Sequence, residues 1–425
     1  MPVKGPDGKQ QVLLGLADAQ QISDKVVATH PAVQHVLPLM DGTRDLDQIV
    51  AEVGRGLERG VLESIVAQLD GAALLFGPSF DALEAKMKAD FDSAQNLPPA
   101  TSAQFMEALA KQRLGQEAST EEINEKGPGF VGEIFDQWID KALESAANPS
   151  FDALPLGVVV PGNDYARSWI NYAAVWGRLR VVDRPDRVVI LGANHFGSAT
   201  GVCGCDKGFQ TPLGACTLDE GFMHALDSKL GEANAAKLYE HRFDHEREHS
   251  VEMQIPWIQH CLGAREDGSF VPVYGVLVHD PVRNSGESYD GAGLALEPFV
   301  EAMKGAIADS PGSTLLVASA DLSHVGPMFG DKQALAGDSP EAAEARNQVA
   351  RQDQELLKHL VEGRPEDLIS SLAWSQNASR WASTGALVAM SKILDARPMQ
   401  VLNYAASLDP QGSAMLTNAA GVVYA

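Results

Sequence analysis

Cysteine is scarce in this chain: Cys203, Cys205, Cys216 and Cys261 are the only four in 425 residues. So few thiols cannot build the disulfide framework of a small secreted domain, and reduced thiols in a cytosolic protein are the simpler expectation. Basic residues are also short, with 33 Lys and Arg against 57 Asp and Glu and a net charge of -24. A surface of that sign repels phosphate backbones and anionic lipids, which argues against nucleic-acid or membrane partners. No run reaches 18 apolar residues, and the opening MPVKGPDGKQQ lacks the apolar core of a signal peptide. Neither a secreted nor a membrane-spanning protein is expected. What is present is ordinary for a globular protein: 45% hydrophobic and 21% charged residues.

The length suggests two or three domains. Residues 1–95 read as a small α+β unit: a strand over 11–16, a helix over 18–29, and an apolar stretch 36–39. The turn Asp41-Gly42-Thr43-Arg44 follows, with Thr43 as N-cap of a helix over 46–53. A helix over 62–69 and a strand over 72–76 complete a winged-helix pattern. This segment holds 8 Lys and Arg against 14 Asp and Glu, which is wrong for a DNA-groove reader. Residues 96–150 read as a helical connector, with helices over 105–114 and 130–146 separated by a break at Gly127-Pro128-Gly129.

From 151 to 425 strands alternate with helices. Strands are expected over 156–160, 188–191, 271–278, 314–319, 401–405 and 421–424. Helices are expected over 169–177, 221–230, 251–261, 294–308, 342–360, 365–374 and 385–394. That alternation predicts an α/β domain, a doubly wound sheet with helices on both faces. Four constellations carry chemistry: Asn194-His195, the run His241–252, Ser319-Ala-Asp321-Leu-Ser323-His324, and Pro161-Gly162-Asn163-Asp164-Tyr165. Three follow expected strands, where open α/β sheets place their ligands. Convergent His, Asp and Glu suit a divalent metal or general acid/base chemistry. A plain structural role competes for each: His195 as a strand-end hydrogen-bonding residue, and 241–252 as a loop whose Ser250 caps a helix with Glu252 in its first turn. Cys203 and Cys205 on a strand would point to one face, and buried thiols are expected there. His245-Glu246-Arg247-Glu248-His249 also matches H-E-x-x-H, the zinc-peptidase pattern, which requires the two His on one helical face. Helix signals begin only at Ser250, which argues against it.

The strings GANHFG, EHSVEMQIPWIQ and SADLSHVG, with the ending NYAASLDP…AAGVVYA, resemble the Memo-like family over nearly all of 155–425. LLGLADAQQIS and LPLMDGTRDLDQIVAEV resemble the PqqD-like winged-helix peptide chaperones. The whole layout is similar to AmmeMemoRadiSam system protein B. The resemblance implies a fold related to class III extradiol dioxygenases and a nonheme iron, copper or zinc site with redox chemistry. Catalytic positions then fall on His195, His249 and His324. Metal positions fall on His195, His249 and Ser323, with a carboxylate from Asp164, Asp321 or Glu248. In place of the family's P-H-x-G-Y the chain has Gly162 where the His belongs, which leaves two alternatives open. One is a modified metal-dependent enzyme with Asp164 as replacement ligand. The other is a non-catalytic scaffold without a metal, working beside a radical enzyme or a peptide through the N-terminal domain.

Overall fold

Two antiparallel hairpins open the chain in the computed structural model, which describes residues 2–4, 10–54, 56–333 and 335–425. It divides into units spanning 1–93 and 94–425. In the first, β1 (Pro2–Lys4) pairs β2 (Gln10–Val12), and β3 (Leu14–Ala17) pairs β4 (Val26–Thr29). Helices α1 (Leu46–Val53), α2 (Arg59–Gly71) and α3 (Pro78–Ser93) follow, around a core of Val36, Ile49 and Leu62. The helix expected over 18–29 is absent. Asp18 instead accepts the backbone N–H groups of Gln20, Ile22 and Ser23 in a tight turn. The β-branched Val26–Thr29 then pairs with β3. The N-cap of α1 is Asp45, not Thr43: its carboxylate takes the Gln48 N–H while the Gln48 side chain returns to the Asp45 N–H. Residues 72–76 form a turn rather than a strand, with Ala73 at φ 53°. An open groove of about 1060 Å³ runs past Val33, Val36, Leu39, Leu57, Val61 and Ile65 in this unit.

In the second unit the elements run β5 (Asn96–Leu97), α4 (Thr101–Leu114), α5 (Thr120–Leu143), β6 (Gly157–Val160), α6 (Tyr165–Leu179), β7 (Arg187–Ala193), β8 (Cys203–Gly204), β9 (Gly208–Thr211) and β10 (Gly214–Cys216). They continue with α7 (Glu220–Leu230), α8 (Glu232–Tyr239), α9 (His249–Glu252), α10 (Ile255–Leu262), β11 (Val273–Val278), α11 (Leu296–Asp309), β12 (Thr314–Ser319) and β13 (Asp321–Val325). The chain closes with α12 (Pro340–Val361), α13 (Pro365–Trp374), α14 (Thr384–Ile393), β14 (Gln400–Leu408) and β15 (Met415–Val423). The main sheet has eight strands in the order β13-β15-β6-β12-β7-β11-β8, with β14 on β15. Its centre, β6-β12-β7-β11, is parallel, and the flanking pairs are antiparallel. Every residue of β7 is buried, as a strand covered by helices on both faces requires. The mixed α/β sheet with flanking helices is the architecture expected from the alternation. A smaller sheet, β10-β9-β5, stands beside it.

One expected helix break is absent and one expected helix is broken. Helix α5 passes through Gly127-Pro128-Gly129 for 24 residues. Pro128 gives up one hydrogen bond, but Ile123, Val131, Phe135 and Ile139 keep a buried stripe on either side. Gly127 lets α4 lie close, since a Cβ there would come within 2.7 Å of Met106. So the segment 96–150 is a pair of packed helices, with α5 against α6, inside the second unit. The helix expected over 251–261 is instead split into α9 and α10. Pro256, with no N–H to donate, sits in the first turn of a new helix. Among the described residues no helix is long and apolar enough to cross a membrane.

Candidate metal centre

Strands β6, β12 and β7 are parallel neighbours, with Val160 level with Ser319 and Ala318 with Leu191. Their C-terminal ends therefore deliver Gly162, Asp321 and His195 to one edge of the sheet, where α9 adds Glu248 and His249. The ligand-capable atoms of His195, Glu248 and His249 all lie within 4.8 Å of one another.

Glu248 organises this group. Its side chain is 1% exposed. Its oxygens accept the backbone N–H of His195 at 2.9 Å and that of Ser250 at 2.9 Å. They also face His195 Nδ1 at 3.0 and 3.2 Å and His249 Nδ1 at 3.4 Å. A carboxylate on Nδ1 fixes the ring orientation and leaves Nε2 with its lone pair, the arrangement that supports metal-bound histidines. The two imidazoles lie nearly parallel, 4.9 Å apart, with Phe196 tilted against both. Burial alone would raise the Glu248 pKa, but the charge and hydrogen bond of His195 pull it down to about 2. Burial works against the His195 proton, yet the Glu248 carboxylate outweighs it and the pKa ends above the usual histidine value. At His249 burial wins and the pKa falls. One carboxylate thus separates the two rings electrostatically.

Asp321 lies in the same cleft, though outside the group of three. Burial raises its pKa, opposed by the charges of His324, His195 and His249. Its one hydrogen bond to the carboxylate among the described residues comes from the Gly162 N–H at 3.1 Å. A Cβ on residue 162 would lie 3.3 Å from Asp321 Oδ2 and 3.2 Å from Ser319 Oγ. The carboxylate occupies ground that a side chain at 162 would contest. His324 turns Nδ1 to the carbonyls of Leu322 and Arg380, at 3.1 and 3.2 Å.

Other expected ligands are committed elsewhere. Asp164 caps α6 by accepting the Arg167 N–H, and it pairs with the Arg167 guanidinium. Ser323 donates to Asp353 at 2.6 Å, within a buried network that Trp381, Tyr404 and Thr417 complete from 2.6 to 2.7 Å. His245 belongs to a 3-10 turn and faces the Cys203 carbonyl at 3.2 Å, while His249 begins α9. The H-E-x-x-H residues therefore share no helix, and the zinc-peptidase geometry is not formed. All four cysteines are free and buried, as expected.

The EHSVEMQIPWIQ string explains itself in the fold. Glu248, not Ser250, is the N-cap of α9. Ser250 exchanges hydrogen bonds at 3.2 Å with both the N–H and the carbonyl of Ala193. This close approach needs Gly192, where a Cβ would lie 2.4 Å from Ser250 Oγ. Glu252 accepts the N–H groups of Ala100, Thr101 and Ser102 and so caps α4. Gln254 clamps the ends of β6 and β12, donating to Pro161 O at 2.7 Å and Ser319 Oγ at 2.9 Å. Sequence reasoning missed these bracing roles and Asp353. Only the alternate spacing of polar residues in that string hinted at the former.

The Memo-like protein model matches residues 133–422, more than half the chain. A MEMO1 family protein of Methanopyrus kandleri is 26% identical over 260 residues, covering 60% of this chain and 78% of the relative. One of Thermotoga maritima is 32% identical over 173 residues, covering 40% and 54%. One of Thermus thermophilus is 28% identical over 238 residues, covering 56% and 62%. The chain thus spans about half the length of the Thermotoga relative and more of the other two. With its sheet and its strand-end cluster, this chain belongs to the Memo-like protein family.

Proposed function

We propose that the cleft binds a divalent cation, iron, copper or zinc, through His195 and His249, with the Glu248 carboxylate holding both rings. The observation carrying this reading is the approach of their ligand atoms to within 4.8 Å of one another. Two imidazoles braced on Nδ1 by a buried carboxylate suit such metals and leave positions for substrate. The bound metal would supply Lewis acidity or redox chemistry. The chain's own residues do the rest. Glu248 orients both rings, Phe196 shields one side of them, and Asp321 can hold a proton on its carboxylate beside the bound substrate.

Gly162 favours a second reading, a non-catalytic scaffold in which the N-terminal groove meets a radical enzyme or its peptide. Metal analysis of untagged protein separates the two. The metal reading expects stoichiometric metal in the wild type and in Asp164→Ala, and loss in His195→Ala and His249→Ala. Equal content in all four proteins removes the metal reading and leaves the scaffold.

A further inference from the structure

A cavity of about 520 Å³ lies between the end of α5, the 145–151 loop, α6 and the start of β14. It shares no lining residue with the metal cleft. Arg178 lines it and is 9% exposed. Its Nε donates to the Asn148 carbonyl at 2.8 Å and its Nη1 to the Ala174 carbonyl at 2.5 Å. Neither partner carries charge. The Tyr424 phenol is an ionisable neighbour of Arg178, and among the described residues no carboxylate lies within ion-pair distance of it. A guanidinium stays charged at any ordinary pH, and buried charges are paired in folded proteins. Among the described residues none supplies that counter-charge within ion-pair distance.

The rest of the cavity suggests what could supply it. Phe151 and Tyr424 meet edge to face at 6.0 Å and form an aromatic wall. Ile170 and Val401 add apolar surface, and Lys141 adds a second cation. The volume falls within the ~300–1,000 Å³ of small-molecule sites. A planar guanidinium matches a carboxylate through two parallel hydrogen bonds. The net charge of -24 opposes polyanions at long range, which favours a single negative charge on an apolar body.

We propose that this cavity binds a small organic monocarboxylate, with Arg178 as its buried counter-charge, Lys141 beside it, and the Phe151–Tyr424 wall against its apolar body. The proposal does not rest on the metal reading. Isothermal titration of the full chain with benzoate tests it, with phenyl phosphate and benzyl alcohol as comparison ligands. Benzoate should bind more tightly than phenyl phosphate, and benzyl alcohol should give no saturable heat. Arg178→Gln should weaken benzoate by roughly tenfold or more, the size of one lost charge-assisted contact. Ala147→Trp fills the cavity from an exposed rim position without touching the core, and should abolish binding with an unchanged melting temperature, even where Arg178→Gln fails to fold. No benzoate heat at millimolar concentration, equal binding of benzyl alcohol, or benzoate binding indifferent to Ala147→Trp would overturn the proposal.

Discussion

His245 shows how far a single residue's surroundings can move its chemistry. Buried against the Cys203 carbonyl, with Nδ1 unpartnered among the described residues, it has its pKa lowered by burial to about 4. The unfolded chain, with an ordinary value of 6.5, binds this proton more readily between those limits. Stability is therefore full above pH 6.5 and falls as pH drops toward 4. The expected loss between pH 7 and pH 5 is about 2 kcal/mol. Urea unfolding at those two pH values measures it, and His245→Gln should flatten the slope. An equal slope in the variant would contradict the burial argument. The sequence showed His245 only as part of a short catalytic pattern. Nothing local could reveal that the fold buries it. His195 was more legible, because four apolar residues ending in a glycine mark a buried strand whatever lies around it.

At the scale of elements, α4 depends on a residue from α9, far away in sequence. Glu252 takes three backbone N–H groups and the Ser102 hydroxyl at the start of α4. The Ala100 residue before that helix offers no side-chain cap. Replacing Glu252 with Ala should cost roughly 2–3 kcal/mol, since several buried donors lose a charged acceptor. Helical content near α4, followed by amide exchange at residues 100–106, should fall with it, while a cost under half a kcal/mol would refute the cap. Local caps such as Ser119 with Glu122 can be read from spacing. A cap delivered from residue 252 cannot. The same limit hid the strand over 26–29: propensity is a weak local signal, and pairing with β3 decided its state.

Over the whole molecule, Asp353 ties α12 to β13, β14, β15 and the loop before α14, through Ser323, Tyr404, Thr417 and Trp381. It is fully buried, so Asp353→Ala would strand four donors at once. The expected loss is about 3–5 kcal/mol, read by thermal or urea unfolding. Unchanged stability in Asp353→Ala would show that the network is redundant. By itself the sequence determined the alternation of strands and helices, the strand that carries His195, and the membership that its motif strings announce. The first two follow from periodicity and composition, which act over a few residues. Only the tertiary structure decided which polar groups meet. It set Glu248 against two imidazoles, placed Asp321 beside Gly162, turned Ser323 to Asp353, and among the described residues left Arg178 with no carboxylate in ion-pair distance. Contacts between residues far apart in the chain are fixed by strand order and register, and no short stretch of chain encodes those alone.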